Sequence, residues 1–182
     1  TILEGGGSAS DVVLSEEAKK LVKPLGLLTS KPVIYATNVS EEDLAEGNKH
    51  CTELIDIASS EGAEIVRVSA QVESELIDLG KEERLDYLES LGVREGGLNS
   101  LIKATYRLLG LLTYFTTGEK ETRAWTIKAG MTAPQAAGVI HTDFERGFIR
   151  AQTIEYDKLL EAGSILEARN KGWLRSEGKE YV

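Results

Sequence analysis

With 182 residues, 41% hydrophobic and 28% charged, the chain has the make-up of a globular protein large enough for one medium domain or two small ones. Its formal charge of −9 argues against nonspecific coating of DNA, and no apolar run approaches the roughly 20 residues that a bilayer requires. One cysteine, Cys51, excludes an internal disulfide framework and a cysteine metal cluster, and a reducing cytosol is the simplest setting for it. The opening TILEGGGSASDVV has neither the basic start nor the apolar stretch of a signal peptide. Charge is unevenly spread. Residues 113–182 hold ten Lys and Arg against ten Asp and Glu, so residues 1–112, with 11 against 20, carry the whole deficit. A neutral part joined to an acidic part suggests two units with different partners.

In chain order, Gly5 to Ser10 reads as a flexible junction. Ser15, followed by Glu16 and Glu17, opens a helix expected to run to about Leu25. After Pro32, the apolar run Val33-Ile34-Tyr35-Ala36 suits a strand buried on both faces, as in a parallel sheet. Asn48 can cap a helix with Cys51, Leu54, Ile55 and Ala58 on one face, and Gly62 can end it. A second strand is expected over Glu64–Ala70, which completes a right-handed βαβ unit. Helices follow over Glu82–Leu91, stopped by Gly92, and over Leu98–Leu112. From Thr113 the grammar changes: TYFTTGEKETRAWTI alternates around a glycine turn, as a β-hairpin does. Thr132-Ala-Pro-Gln135 is a capping box opening a helix to about His141, and FIRAQTIEY alternates as a further strand. Ser164-Ile-Leu-Glu167 is a second capping box, and KEYV begins a last strand. The sum is an incomplete α/β unit to about Leu112, then a small β-β-α-β-α-β unit from about Thr113 that resembles a β-grasp roll.

Ligands of open parallel sheets sit outside the carboxyl ends of the strands. Asn38 follows one such end, Ser69 and Ala70 the other, and a right-handed βαβ unit puts both on one rim. An Asn amide offers a donor and an acceptor together, which suits the N7 and exocyclic edge of a purine. Backbone near Ser69 to Gln71 could hold the other side of the base. Asn and Ser after a strand also serve as plain turn and cap formers, and Ser40 can simply cap the turn that follows it.

Asn38-Val39-Ser40-Glu41 stands where translation-factor GTPases carry an Asn-Lys-x-Asp base-recognition motif, and SAQVESEL resembles their Ser-Ala-x motif. The stretch from GLNSLIKATYRLLG to FIRAQTIEYD, above all APQAAGVIHTDFERGFIRAQ, closely resembles the Obg-like ATPase (YchF) family over about Leu14 to Val182. The resemblance implies a partial P-loop NTPase unit with a parallel sheet, followed by an α+β, ubiquitin-like β-grasp TGS domain. On that reading residues 1–30 are linker and the end of an inserted helical domain, 31–112 the distal nucleotide-binding domain, and 113–182 a TGS domain lacking its last strand. The chain would be a fragment, cut within both ends. Val39 replaces the family motif's Lys and Glu41 its Asp; adenine lacks the two guanine donors that an Asp would meet, so ATP is expected to be preferred over GTP. Base contacts carry over to Asn38 and Val39, and to Ser69, Ala70 and Gln71, while Glu41 is expected to be a solvated or helix-start carboxylate. ATP or GTP with magnesium belongs to the parent, and the fragment requires no cofactor. TGS domains imply a ribosome or RNA partner in translation or stress control, with no DNA and no membrane.

No segment matches G-x-x-x-x-G-K-[ST], and no Asp-x-x-Gly supplies a magnesium ligand, so the chain is not expected to hydrolyse nucleotide alone. His141 and Asp143 look like a dyad, but the expected role is structural: His141 at a helix C-terminus, Asp143 capping a turn. Cys51, Trp125 and Trp173 are expected to pack, Trp125 inside the β-grasp layer. Arg146, Arg150, Arg169, Lys171, Arg175 and Lys179 could face RNA, or form a solvated surface with the interspersed Glu residues. The rival to the nucleotide reading is a non-catalytic ribosome- or RNA-docking module; a β-grasp domain regulating a synthetase fits less well, because no βαβ unit is expected there.

Overall fold

Strands β1 (Ile34–Asn38) and β2 (Glu64–Val68) run parallel, with Ile34 opposite Glu64 and Asn38 opposite Val68. This is a computed structural model describing residues 1–118 and 120–182. The chain forms two compact units, Thr1–Leu108 and Leu109–Val182.

The first unit starts with α1 (Glu16–Val22), whose Ser15 cap accepts from the Ala18 N–H. It ends before the expected Leu25, because Pro24 turns the chain into a short 3₁₀ segment. Between the strands, α2 (Lys49–Glu61) begins at the Asn48 side chain, which accepts from the Cys51 N–H, and stops at Gly62, held at φ 65°. Cys51 and Ala58 point inward, but Ile55 is exposed. The second strand ends at Val68, not Ala70: Ser69 turns out and caps α3 (Ala70–Leu76). The periodicity had not marked this helix. α4 (Lys81–Ser90) and α5 (Gly97–Leu108) follow. α5 stops before the expected Leu112 because Gly110 adopts φ 60° and releases Leu111 into a strand.

A strand buried on both faces is not what β1 became. Ala36 and Asn38 are exposed, since among the described residues this sheet has two strands and part of its surface is uncovered. The core lies beyond the strand ends, where Val39, Leu44, Cys51, Val72, Leu76 and Leu88 pack together. Burying each of the larger side chains contributes about 1.5–3 kcal/mol. This cluster fixes the loop after β1 to α3 and α4.

In the second unit, β3 (Leu111–Thr117) and β4 (Thr122–Lys128) form the expected hairpin, with Tyr114 opposite Trp125. Glu119, within the stretch expected to turn, lies outside the described residues. α6 (Ala133–Ile140) opens with the Thr132 N–H donating to Gln135 Oε1 at 2.9 Å, and α7 (Thr142–Arg146) follows at once. The long strand expected in FIRAQTIEY shrinks to β5 (Ala151–Thr153), since Tyr156 already starts α8 (Tyr156–Ala162). Ser164 caps α9 (Ile165–Asn170) through the Glu167 N–H. The partner of β5 is β6 (Arg175–Glu177), antiparallel to it. KEYV forms no strand; instead the Tyr181 carbonyl accepts from the Ala133 N–H at 2.7 Å, tying the last residues to the start of α6. The described residues thus hold two separate two-stranded sheets here, not one mixed sheet. Trp125 is only half-buried, its Nε1–H donating to Thr116 Oγ1 and the Arg123 guanidinium lying over its ring.

Candidate nucleotide-base site

The two parallel strands end side by side, and a side chain joins them. Asn38, the last residue of β1, accepts from the Ala70 N–H through Oδ1 at 3.0 Å. That donor is the first helical N–H of α3, which has no intrahelical partner. The need of that N–H for an acceptor sets which way the amide faces: Oδ1 inward, Nδ2 outward. Asn38 is exposed, and among the described residues its Nδ2 has no partner. Directly beneath, the Val39 N–H donates to the Val68 carbonyl at 2.9 Å, extending the parallel ladder by one bond.

The five predicted base contacts separate by environment. Val39 is 9% exposed and belongs to the core, so its side chain supports the loop from below. Ser69 is 1% exposed and its Oγ accepts from the Val72 N–H, so its hydroxyl is spent on capping. Asn38, Ala70 and Gln71 are exposed on the rim. Gln71 is held in place: its Nε2 donates to Glu75 Oε1, and the Tyr87 hydroxyl donates to the other oxygen of Glu75. That second bond pushes the Tyr87 phenol up to about 12, with the Glu41 charge adding to the rise. Glu75 shifts the opposite way, held below its ordinary value first by Tyr87 and then by Gln71.

This Gln71–Glu75–Tyr87 chain was missed in the sequence. Gln71 and Glu75 lie four apart on a helix and so could have been paired, but nothing local brings Tyr87 to them. Glu41 does not start a helix; its carbonyl accepts from Leu44 in a turn and its charge reaches Tyr87. The Ser40 carbonyl accepts from Asp43 in the same turn.

Other singled-out residues resolve as follows. Cys51 is buried in the core. His141 ends α6 and begins α7, with Nδ1 accepting from the Asp143 N–H at 3.2 Å. The cap is therefore His141 and not Asp143, as had been expected; accepting there requires Nδ1 to carry no proton. Among the described residues no three His, Cys, Asp or Glu side chains gather as a metal set, and no helix is long and apolar enough to cross a membrane. The six expected RNA-facing residues are all exposed but not all free. Lys171 lies over the Trp173 ring and within 3.4 Å of Glu161, and Arg175 Nε is 3.5 Å from Glu177. Arg146, Arg150 and Arg169 have no ion pair among the described residues.

Two parallel strands joined through a helix, with further helices after them, make the first unit part of an α/β domain. Comparison with known proteins sharpens this. A family model named YchF-GTPase_C, described as a protein of unknown function (DUF933), matches residues 111–182. The "Ribosome-binding ATPase YchF" of Bacillus subtilis is 53% identical over 176 residues, which cover 96% of this chain and 48% of that protein. The protein of that name from Escherichia coli O157:H7 is 47% identical over 180 residues, covering 99% and 49%. The solved structure of the Schizosaccharomyces pombe YchF GTPase superposes with a TM-score of 0.80 at 36% identity, over 98% of this chain and 48% of that one. The chain belongs to the YchF family and corresponds to the C-terminal portion of its members, spanning about half the length of the relatives it matches.

Proposed function

We propose that this chain carries the base-reading rim and the partner-docking unit of a YchF-type nucleotide hydrolase that acts at the ribosome. The observation that carries the reading is the Asn38–Ala70 bond at the shared end of β1 and β2. A carbonyl oxygen has two lone pairs, so Oδ1 can hold the Ala70 N–H and still accept from an exocyclic amine, while Nδ2 donates to N7. Adenine presents that pair of edges together. Guanine offers an oxygen where adenine has the amine, and the charge of Glu41, which stands in the last position of the motif, acts on Tyr87. ATP is accordingly preferred over GTP. The relatives' names divide on this point, ATPase for the bacterial proteins and GTPase for the fission-yeast structure.

The residues present fit the base. For the triphosphate and its magnesium, the sequence offers no Gly-rich cradle with Lys, so those contacts, and hydrolysis, belong to the rest of the parent chain. Ala70 and Gln71 line the far side of the base, Val39 and Ser69 hold the rim from beneath, and residues 113–182 act as the TGS domain. Calorimetry with ATP and GTP on a chain extended to the relatives' full length tests the reading. Tighter ATP binding, abolished by Asn38→Ala, is expected; a clear GTP preference refutes it.

A second reading has its own observation. Arg146 and Arg150 have no ion pair among the described residues and lie beside exposed Phe144 and Ile149, a mixed basic and apolar surface suited to a ribosomal partner independent of nucleotide. Ribosome co-sedimentation of the chain with and without ATP separates the two: nucleotide-insensitive binding lost in Arg146→Ala/Arg150→Ala favours pure docking.

A further inference from the structure

The acidic first unit contains a cavity whose charge runs against its surroundings. It is an open cleft of about 490 Å³ between β2, the start of α5 and the loop before it, the size range of small-molecule pockets. Four cations line it, Arg67, Arg94, Lys103 and Arg107, against two carboxylates, Glu64 and Glu95. Both carboxylates are already engaged: Lys103 donates to Glu95 and Arg107 to Glu64. Lys103, with Ser100 and Arg107 adding to it, holds the Glu95 carboxyl below its ordinary value, so it stays ionised and committed to its own cations. Arg67 and Arg94 are left over. Neither guanidinium has an acceptor among the described residues, and Arg67 is half-buried.

A half-buried guanidinium without an acceptor costs stability that a bound anion would restore. Gly47, at φ 79°, passes close to Arg67: a Cβ there would stand 3.1 Å from its terminal nitrogen. The start of α5 packs tightly on β2, since a Cβ on Gly97 would come within 2.7 Å of the Val68 Cα. The cleft leaves two cationic charges unbalanced, in a unit with 20 acidic and 11 basic residues.

We propose that this cavity is a binding site for a small phosphorylated molecule whose phosphoryl group is gripped by Arg67 and Arg94. A phosphate monoester brings nearly two negative charges on one compact group, matching the two spare guanidiniums, and its oxygens fit the forked donors. A single carboxylate brings half that charge. The concave shape favours a small molecule over the continuous backbone of a nucleic acid. None of the cavity's residues belongs to the base rim, so the site stands whether or not the nucleotide reading does.

The test is an NMR and calorimetric titration of the whole 182-residue chain with inorganic pyrophosphate, citrate, adenosine and a single-stranded oligoribonucleotide. Pyrophosphate is expected to bind and to shift the amides of Arg67 and Arg94. Arg94→Gln, on the exposed side, should weaken binding about tenfold, and Arg67→Gln at least as much. Lys20→Gln on α1 should leave it unchanged, and adenosine should not compete. Circular dichroism shows whether Arg67→Gln remains folded, and Arg94→Gln decides alone if it does not. Absent pyrophosphate binding, binding indifferent to Arg94→Gln, or tighter citrate binding overturns the proposal; so does displacement of pyrophosphate by the oligoribonucleotide at lower concentration.

Discussion

The two units bury their residues in opposite ways. In the first, six side chains from the loop after β1, α2, α3 and α4 form a continuous core, with Tyr87, Leu91 and Val93 packed against it. In the second, the buried hydrophobics are Phe148 and Ala168, while Phe115, Phe144, Ile149, Tyr156, Leu160 and Leu166 remain exposed. Its order comes from backbone pairing and from stacked surface rings, Phe115 on Tyr156 at 5.5 Å. A side-chain core holds a loop to a fixed geometry. A hairpin scaffold with apolar side chains outside suits a surface that meets a large partner. The division of charge follows the same boundary.

The strongest way to break this contrast is Leu88→Ala, which should cost about 2–5 kcal/mol by opening the first unit's core. Both tryptophans lie in the second unit. If the units are separately cooperative, urea melts of this variant should show the loss by far-ultraviolet circular dichroism but not by tryptophan fluorescence. Coincident shifts in both would mean that the units unfold as one. Next is Gly97→Ala, whose methyl would meet β2 backbone; about 1–3 kcal/mol is expected by the same melts.

Asn38 permits a finer cut. Asn38→Ala removes the acceptor of the Ala70 N–H and should cost about 1 kcal/mol. Asn38→Asp keeps that acceptor but removes the Nδ2 donor, so stability should stay near wild type while nucleotide affinity of the full-length form falls. Equal stability losses in the two variants would contradict the assigned amide orientation.

The smallest effect concerns pH. Glu75 has its folded pKa depressed, so its contribution is present above its ordinary value of 4.5 and fades as pH falls below it. Tyr87 is raised from 10.0 to about 12, so its contribution holds below pH 10 and is lost between 10 and about 12. Tyr87→Phe should flatten both limbs of a Tm-against-pH curve and leave the plateau almost unmoved, as expected for a pair on the surface. Unaltered limbs would sink this assignment.

Local chemistry made much of the framework legible. Ser15, Asn48 and Ser164 cap where capping residues should, and Gly62 ends its helix with positive φ. The errors have a common cause: a periodicity was carried past the residue that breaks it. Alternation in FIRAQTIEY ran on over Tyr156, although Leu159 and Leu160 already fit a helix, and leucine spacing in α5 ran on through Gly110. Ser69 looked like the tail of a strand because a cap and a strand end use the same extended backbone. At the rim, the sequence could not show that Val39 and Ser69 face the core or that Tyr87 comes from α4 to fix Glu75. Those are facts of packing across the chain.

The Asn38–Ala70 bond also makes the Ala70 amide proton a built-in, label-free spectroscopic gauge. A ligand amine sharing Oδ1 would draw the acceptor's electron density away from that proton and move its resonance upfield. A single cross-peak in a proton–nitrogen spectrum would then report rim occupancy, while a ligand entering the arginine-lined cavity would shift Arg67 and Arg94 and leave Ala70 in place.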